Sequence, residues 1–173
     1  MSAPESLKEV YTDEIKDLWS ANDQMIRVLG TLVEGAHDAK LKKHLTMSIE
    51  GIGKHNETLK EVLSSAGAEV EKEHCKGMEG LCKEALKHAD KEAPENADLK
   101  DIVIITQYQR MCHYGITGFG SVKAMAKALG MKDDVKKLEA IVTDIYGSDD
   151  LTSQMGEKLA KLAAKHEKAA TSA

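Results

Sequence analysis

Long stretches without helix-breaking residues constrain the fold of this chain more than any other feature of its sequence. Only two of its 173 residues are proline, Pro4 and Pro94, and both stand where a helix begins or breaks. Proline inside a helix removes a hydrogen bond and clashes with the preceding turn, so segments free of it can form long helices. In the first of these segments, apolar residues recur at three- and four-residue steps, namely Leu7, Tyr11, Leu18, Met25, Leu29 and Leu32. This spacing predicts amphipathic helices that pack together in a bundle.

The composition also favours helices over sheets. Aromatic residues make up only 3% of the chain, whereas 31% of the residues are charged and 42% are hydrophobic. Strands are enriched in aromatic and β-branched residues, while alanine, leucine, lysine and glutamate are good helix formers. A chain of this length can bury about two-thirds of its unfolded surface in one domain. We therefore expect one all-α domain over residues 5–168 and a frayed C-terminal tail over residues 169–173.

The charge and the hydropathy pattern argue against two classes of partner. The formal net charge is −5, which disfavours nucleic acid because phosphate binding requires concentrated lysine and arginine. No apolar run approaches the ~20 residues that a membrane-spanning helix needs. The N-terminal residues lack the basic segment and the apolar stretch of a signal peptide. The sequence therefore predicts a cytoplasmic protein that binds neither nucleic acid nor membrane.

Glycine, proline and capping residues divide the chain into four long helices and one short helix. We predict helices over Glu5–Glu34, from the Asp38 cap to Gly67, over Gly77–Lys91, over Leu99–Leu129 after an Asp98 cap, and from about Asp133 onward, with a bend near Gly147. The long segment between the second and third long helices is typical of a crossover. The pattern predicts a ferritin-like antiparallel four-helix bundle in up-down-up-down order, with the extra short helix in the crossover.

The three cysteines do not form a disulfide framework. Cys75, Cys82 and Cys112 are odd in number, and no two of them are spaced as Cys-x-x-Cys. On a helix, Cys75 and Cys82 would lie about 10 Å apart along the axis, which is too far for a disulfide. We therefore expect reduced thiols in a reducing compartment.

Two of the predicted buried faces carry a polar side chain. Asn22 lies on the apolar stripe of the first helix, and we interpret it as a clamp between helices because a buried amide needs hydrogen-bond partners. His55 faces the core from the second helix, close to two helical glycines, Gly51 and Gly53. Close approach of another helix, or room for a ligand, would offset the destabilisation by these glycines. A lone inward histidine is more often hydrogen-bonded in the core than bound to a metal.

The third and fourth long helices add further polar candidates. Gln109 and His113 are four residues apart and share a face, and Cys112 lies one position away. Cysteine and histidine can bind soft metals, but one of each is a weak signal, so we favour a buried, hydrogen-bonded His113. Asp144 is the only acid on the apolar side of its segment. It could neutralise His113 or Lys54 across the core, or lie exposed on the surface.

Several segments resemble the YciF/YciE-type bacterial stress proteins of the ferritin-like superfamily. The similarity covers residues 5–155, and its most specific part is Met78-Glu-Gly-Leu81 with the preceding Cys75-Lys76. The other matching segments are residues 14–22, the second-helix segment that ends at His55, His113-Tyr114 with the glycines that follow, and residues 126–130. The resemblance implies a ferritin-like four-helix bundle with a short extra helix, paired as a homodimer.

The resemblance also implies a dimetal site of carboxylates and histidines inside the bundle. Glu50 and His55 of this pattern are present in the second helix. Most of the other ligand positions hold residues without a carboxylate, namely Asn22, Gly51, Gly53, Cys112 and Gly115. The acidic run of the last helix is reduced to Asp144. Oxygen-activating dimetal sites need several carboxylates to balance two cations, and this chain lacks that set.

Two hypotheses follow from these residues. The first is a dimeric, cytoplasmic stress-response protein without ferroxidase activity, which acts as a binding or structural module for a small ligand and has no firmly expected cofactor. Its polar pocket would be lined by Asn22, His55, Gln109, Cys112, His113 and Asp144. The alternative is a metalloprotein in oxidative-stress or peroxide chemistry, with one or two iron, manganese or zinc ions. Its candidate ligands are Glu50, His55, His113 and Asp144, with Cys112 as a fifth.

Overall fold

Five α-helices account for most of the residues that the structure describes. The computed structural model describes residues 3–171, with side chains up to residue 169. The helices are α1 (Leu7–Gly35), α2 (Ala39–Ser65), α3 (Lys76–Leu86), α4 (Ala97–Ala128) and α5 (Lys132–Thr171), and α3 continues into a π-helical turn, Lys87–Lys91. No strand occurs within residues 3–171, so the predicted all-α bundle with a short helix in the crossover is confirmed. None of the described helices combines the length and apolar character needed to cross a membrane.

The sequence predicts side-chain caps for α2 and α4, and one of these caps differs in the structure. Asp38 precedes α2 as expected, and its carboxylate accepts hydrogen bonds from the first backbone N–H groups of the helix. Asn96 caps α4 instead of Asp98, because the Asn96 side chain accepts from the Leu99 N–H at 3.1 Å. Asp98 lies inside the first turn of α4 and contacts the His166 ring at 3.1 Å. The helix therefore begins earlier than the predicted Leu99.

The ends of the long helices follow the glycine pattern only in part. Gly67 and Gly130 have φ angles of +68° and +74°, a left-handed conformation that glycine adopts readily after a helix. α2 and α4 accordingly end two residues before these glycines. α5 is continuous through Gly147 and extends to Thr171. The predicted fraying of residues 169–173 stays a prediction, and residues 172–173 lie outside the described part of the chain.

The direction of α4 corrects the predicted order of the helices. Near the starts of α2 and α4, the Asp101 carboxylate accepts a hydrogen bond from the Asp38 backbone N–H at 2.7 Å. Further along both helices, the His55 and Phe119 rings pack edge to face with centroids 6.1 Å apart. Because these contacts follow the same order on both helices, α2 and α4 run parallel. The up-down-up-down prediction was wrong, and the order is up-down-down-up.

The crossover, which is the segment between α2 and α4, explains this direction. It runs back along α1 before α4 begins. The Glu73 N–H donates to the Lys16 carbonyl at 3.3 Å, and the Gln24 amide donates to the Cys75 carbonyl at 2.9 Å. α3 and the π-helical turn also pack against α1. The crossover thus spans the length of the bundle. The predicted order was wrong because it treated α2 and α4 as if a short loop joined them.

The long helices form two antiparallel hairpins, α1 with α2 and α4 with α5. The hairpins are joined along the α1–α4 side, while α2 and α5 approach each other at few positions. The apolar core consists of two clusters that follow one another along the bundle. Ile145 packs against both clusters. Polar or small residues occupy the level between them, which is where the candidate site lies.

We predict that Gly118→Ala destabilises the fold. A Cβ at Gly118 would collide with a side-chain methyl of Leu18, which is only 2% exposed. Overpacking of this kind typically lowers the free energy of unfolding by about 1–3 kcal/mol. Gly120→Ala is the matched control, because a Cβ there meets nothing within 4 Å and alanine favours a helix by up to about 1 kcal/mol. Urea unfolding of both variants tests this, and equal midpoints would contradict the close approach of α1 and α4.

Candidate functional site

A cavity of about 970 Å³ lies inside the bundle between the two hairpins. Its inner wall is buried, since Asn22 on α1 is 6% exposed and Met111 on α4 is 0% exposed. Its outer edge is formed by α2 and α5, where Met47 and Leu151 are 59% and 44% exposed. The cavity therefore opens to solvent between α2 and α5, the side on which the hairpins pack least.

Most of the cavity wall is apolar. The apolar lining residues include Leu18, Ala21, Met25, Ile52, Met78, Met111, Ile141 and Ile145. Three of them are methionines from three different helices, and the flexible, polarisable thioether adapts to ligands of different shape. A concave, mainly apolar wall with a few polar groups is typical of small-molecule sites of 300–1,000 Å³.

Asn22 reaches this cavity in an orientation that its neighbours fix. Asp23 forms an ion pair with Lys72 and also accepts a hydrogen bond from the Asn56 side-chain amide at 2.8 Å. Asn56 must therefore direct its N–H₂ group to Asp23 and its carbonyl oxygen to Asn22, whose amide nitrogen donates to it at 2.9 Å. The Asn22–Asn56 bond is the inter-helix clamp that the sequence suggested. It leaves the Asn22 carbonyl oxygen pointing away from Asn56.

His55 and Asp144 link α2 to α5 across the mouth of the cavity. The His55 Nε2 atom lies 2.9 Å from the Asp144 carboxylate, whose side chain is 66% exposed. Burial lowers the pKa of His55, although the hydrogen bond and charge of Asp144 oppose this shift. The ring is then neutral at pH 7, with its proton on Nε2 and a bare Nδ1. Asp144 therefore pairs with His55 and not with His113 or Lys54, the two partners that the sequence suggested.

A second polar cluster closes one end of the cavity. The Tyr108 hydroxyl donates to Ser48 Oγ at 2.8 Å and lies 2.6 Å from Ser148 Oγ. His44 Nε2 lies 3.1 Å from Ser148 Oγ and 3.0 Å from Thr152 Oγ1. Burial lowers the pKa of His44. Sequence reasoning missed this cluster, although the spacings of four residues between His44 and Ser48 and between Ser148 and Thr152 were available signals.

Gln109 and His113 lie outside the cavity. Both contact Asp149, through Gln109 Nε2 and His113 Nε2 at 3.1 Å each. The His113 side chain is 65% exposed, so the prediction of a buried His113 was wrong. Cys112, one position earlier, is buried against Tyr108 and lines the cavity. One residue corresponds to about 100° of rotation on a helix, so neighbours in sequence face different environments.

The residues in and around the cavity do not fit the dimetal site that the resemblance implies. Within the described residues, no three histidine, cysteine, aspartate or glutamate side chains are close enough to hold one ion. Glu50 lines the exposed edge of the cavity, and His113 lies outside it. Burial raises the pKa of Cys112 to about 12, so its thiol stays protonated in the metal-free protein. Too few carboxylates remain to balance two cations.

Comparison with known proteins agrees with the sequence resemblance. The family model described as "Domain of unknown function (DUF892)" matches residues 6–167. Protein YciF of Escherichia coli K12 is 25% identical over 145 residues, which cover 83% of this chain and 86% of that protein. The predicted similarity to YciF-type proteins is thereby confirmed.

Solved structures share the fold. YcfI from Rhodopseudomonas palustris matches with a TM-score of 0.82 at 25% identity, covering 86% of this chain and 94% of that chain. The E. coli stress protein YciF matches with a TM-score of 0.86 at 23% identity, covering 91% and 99%. Protein XCC3681 from Xanthomonas campestris matches with a TM-score of 0.76 at 11% identity, covering 94% and 99%. The last two similarities show the fold alone.

We predict that acidification destabilises the protein through His44 and His55. Their folded pKa values are lowered by burial, so the unfolded chain binds protons that the native state does not. Stability is therefore lost as the pH falls below the ordinary histidine pKa of about 6.5. Unfolding free energies measured by urea from about pH 7.5 to about pH 5 should depend less on pH in a His44→Gln/His55→Gln variant. His88→Gln on the crossover is the control, and parallel pH profiles for wild type and double variant would contradict the prediction.

We also predict that the protein, purified without chelator or histidine tag, contains less than stoichiometric iron, manganese and zinc. The reason is the donor set, in which Asn22, Gly51, Cys112 and Gly115 occupy positions that would have to supply carboxylates. Elemental analysis by mass spectrometry measures this directly. Near-stoichiometric amounts of one metal, lost together with stability in a His55→Ala variant, would show that a rebuilt site exists.

Proposed function

The chain belongs to the family described as a domain of unknown function, DUF892, and we propose that it is a binding module that holds a small, mainly apolar molecule inside its helical bundle. The cavity between the two hairpins carries this proposal. It has about 970 Å³, an apolar wall and an opening to solvent. Each methylene of a ligand that enters such a site contributes about 0.8 kcal/mol through the hydrophobic effect.

Small side chains make this volume available. Gly51 on α2 and Gly115 on α4 both line the cavity. A Cβ on Gly115 would make an ordinary van der Waals contact with Ile145 at 3.5 Å. A larger side chain at this position would extend into the cavity that Gly115 lines. Glycine in the middle of a helix costs up to about 1 kcal/mol relative to alanine. Space for a bound molecule is a functional reason for glycine at these two positions despite this cost.

The polar groups of the cavity support binding rather than hydrolysis. Ser148 and His44 are in contact, which is the first requirement for an activated serine. However, Ser148 is also held by Tyr108 at 2.6 Å, and His44 Nε2 is shared with Thr152. Among the described residues, no carboxylate orients the other ring nitrogen of His44. We therefore propose a non-enzymatic role, without the peroxide chemistry of the metalloprotein hypothesis.

The cellular setting of this binding activity is proposed from likeness. The E. coli relative YciF is described as a stress protein, and we propose that this chain also acts in a stress response. The ferritin-like assignment, the homodimer and the cytoplasmic location stay predictions.

Titration with the neutral apolar dye Nile red tests the proposed binding site. We expect saturable binding to the folded protein, which Gly115→Leu weakens by about tenfold or more because the leucine fills the cavity. Gly120→Leu is the matched control on the same helix, where nothing lies within 4 Å of the added Cβ. Circular dichroism would verify that both variants are folded. Equal dye affinity in the two folded variants, or no saturable binding by the wild type, would refute the proposal.

A further inference from the structure

The cavity contains hydrogen-bond acceptors that no protein group satisfies. The amide chain from Asp23 through Asn56 turns the Asn22 carbonyl oxygen away from Asn56, and this oxygen has no hydrogen-bond partner among the described residues. None of their buried side-chain nitrogen or oxygen atoms is both sealed from solvent and unpaired. The Asn22 oxygen is therefore reachable by solvent although the residue is only 6% exposed. Because Asn22 lines the cavity, this acceptor faces it.

His55 supplies a second free acceptor at the same level. Its Nε2–H is committed to the Asp144 carboxylate at 2.9 Å, so Nδ1 of the neutral ring carries a lone pair. No partner is present for Nδ1 among the described residues, and the same argument makes it reachable by solvent. The His55 side chain also lines the cavity. The Asn22 oxygen and His55 Nδ1 are therefore two acceptors of fixed orientation without a protein donor among the described residues.

The donors on the buried side of the cavity wall are already used. The Tyr108 hydroxyl donates to Ser48 and also contacts Ser148. The Asn22 amide nitrogen donates to Asn56. A ligand at this level must therefore bring its own donors, since a buried acceptor left unpaired reduces affinity.

The charges at the mouth favour a cation. Asp144 and Glu50 both line it, and Glu50 forms no ion pair with another described residue. Of the two lysines that line the mouth, Lys137 is neutralised by Glu61 at 2.6 Å. Lys54 is the remaining cation, and it is exposed.

We infer that the ligand is an amphipathic amine, with an apolar body against the methionine-rich wall and a protonated amine at the level of Asn22, His55 and Asp144. The ammonium N–H groups donate to the Asn22 oxygen and His55 Nδ1, and Asp144 balances the charge. This inference rests on the proposed function, because it specifies the chemistry of a ligand for the same cavity.

Three probes with the same ten-carbon chain test this inference, namely decylamine, decan-1-ol and decanoate, each below its micellar concentration. Calorimetric titration of the wild type should show decylamine binding about tenfold or more tightly than decanoate, with decanol between them. Asp144→Asn should weaken decylamine binding more than decanol binding and so remove most of the preference for the amine. Asn22→Leu should weaken the binding of decylamine and decanol, which both carry hydrogen-bond donors, but not the binding of decanoate. Asp150→Asn, an exposed acid on the same helix, is the control and should change none of the affinities.

The outcomes separate the inference from the proposed function. If decanol binds but decylamine binds no better than decanoate, the inference of an amine ligand is refuted, while the proposed apolar binding site is supported. Tighter binding of decanoate would also refute it and would identify Lys54 as the recognising group. If none of the three probes binds the wild-type protein, both proposals fail. The comparison of the three probes on wild type decides these cases even if a variant does not fold.

Discussion

The buried carboxylate of Asp101 sets the arrangement on which the rest of the structure depends. It is 2% exposed and accepts hydrogen bonds from the backbone N–H groups of His37 and Asp38, at 2.8 and 2.7 Å. These two donors belong to the turn between α1 and α2, where the helix itself cannot satisfy them. Their bonds to α4 hold the starts of α2 and α4 side by side. Later contacts between the two helices, such as His55 with Phe119, follow in the same register.

This arrangement leaves one side of the bundle weakly packed. α1 packs on α4, so the hairpins are closed along that side, whereas α2 and α5 approach each other at few positions, several of which are polar. His55 with Asp144, His44 with Thr152 and Lys137 with Glu61 are three such links. Polar links between partly exposed groups contribute little stability individually. The protein therefore retains an opening where a tightly packed bundle would have continued its core.

The sequence predicted the helices and several inward-facing residues, but not the relations between helices. Periodicity placed Asn22 and His55 on buried faces, and the capping role of Asp38 followed from its position before α2. The direction of α4 depended on how a long crossover packs, and local patterns carry no information about that. The prediction of a buried His113 was wrong because neighbouring residues of α4 face different environments, and Cys112 faces the cavity while His113 faces solvent. The partner of Asp144 was missed because helical spacing does not fix the register between α2 and α5.

The orientation of Asn22 has a consequence that begins outside the cavity. Asp23 does not line the cavity, yet its carboxylate can only accept hydrogen bonds, so it determines which end of the Asn56 amide faces Asn22. A donor side chain in place of Asp23 would turn the Asn56 amide over, and Asn22 would then present its amino group to the cavity instead of its carbonyl oxygen. The polarity of the cavity would invert without moving a single helix. Within such a family, ligand preference could diversify through residues that never touch the ligand.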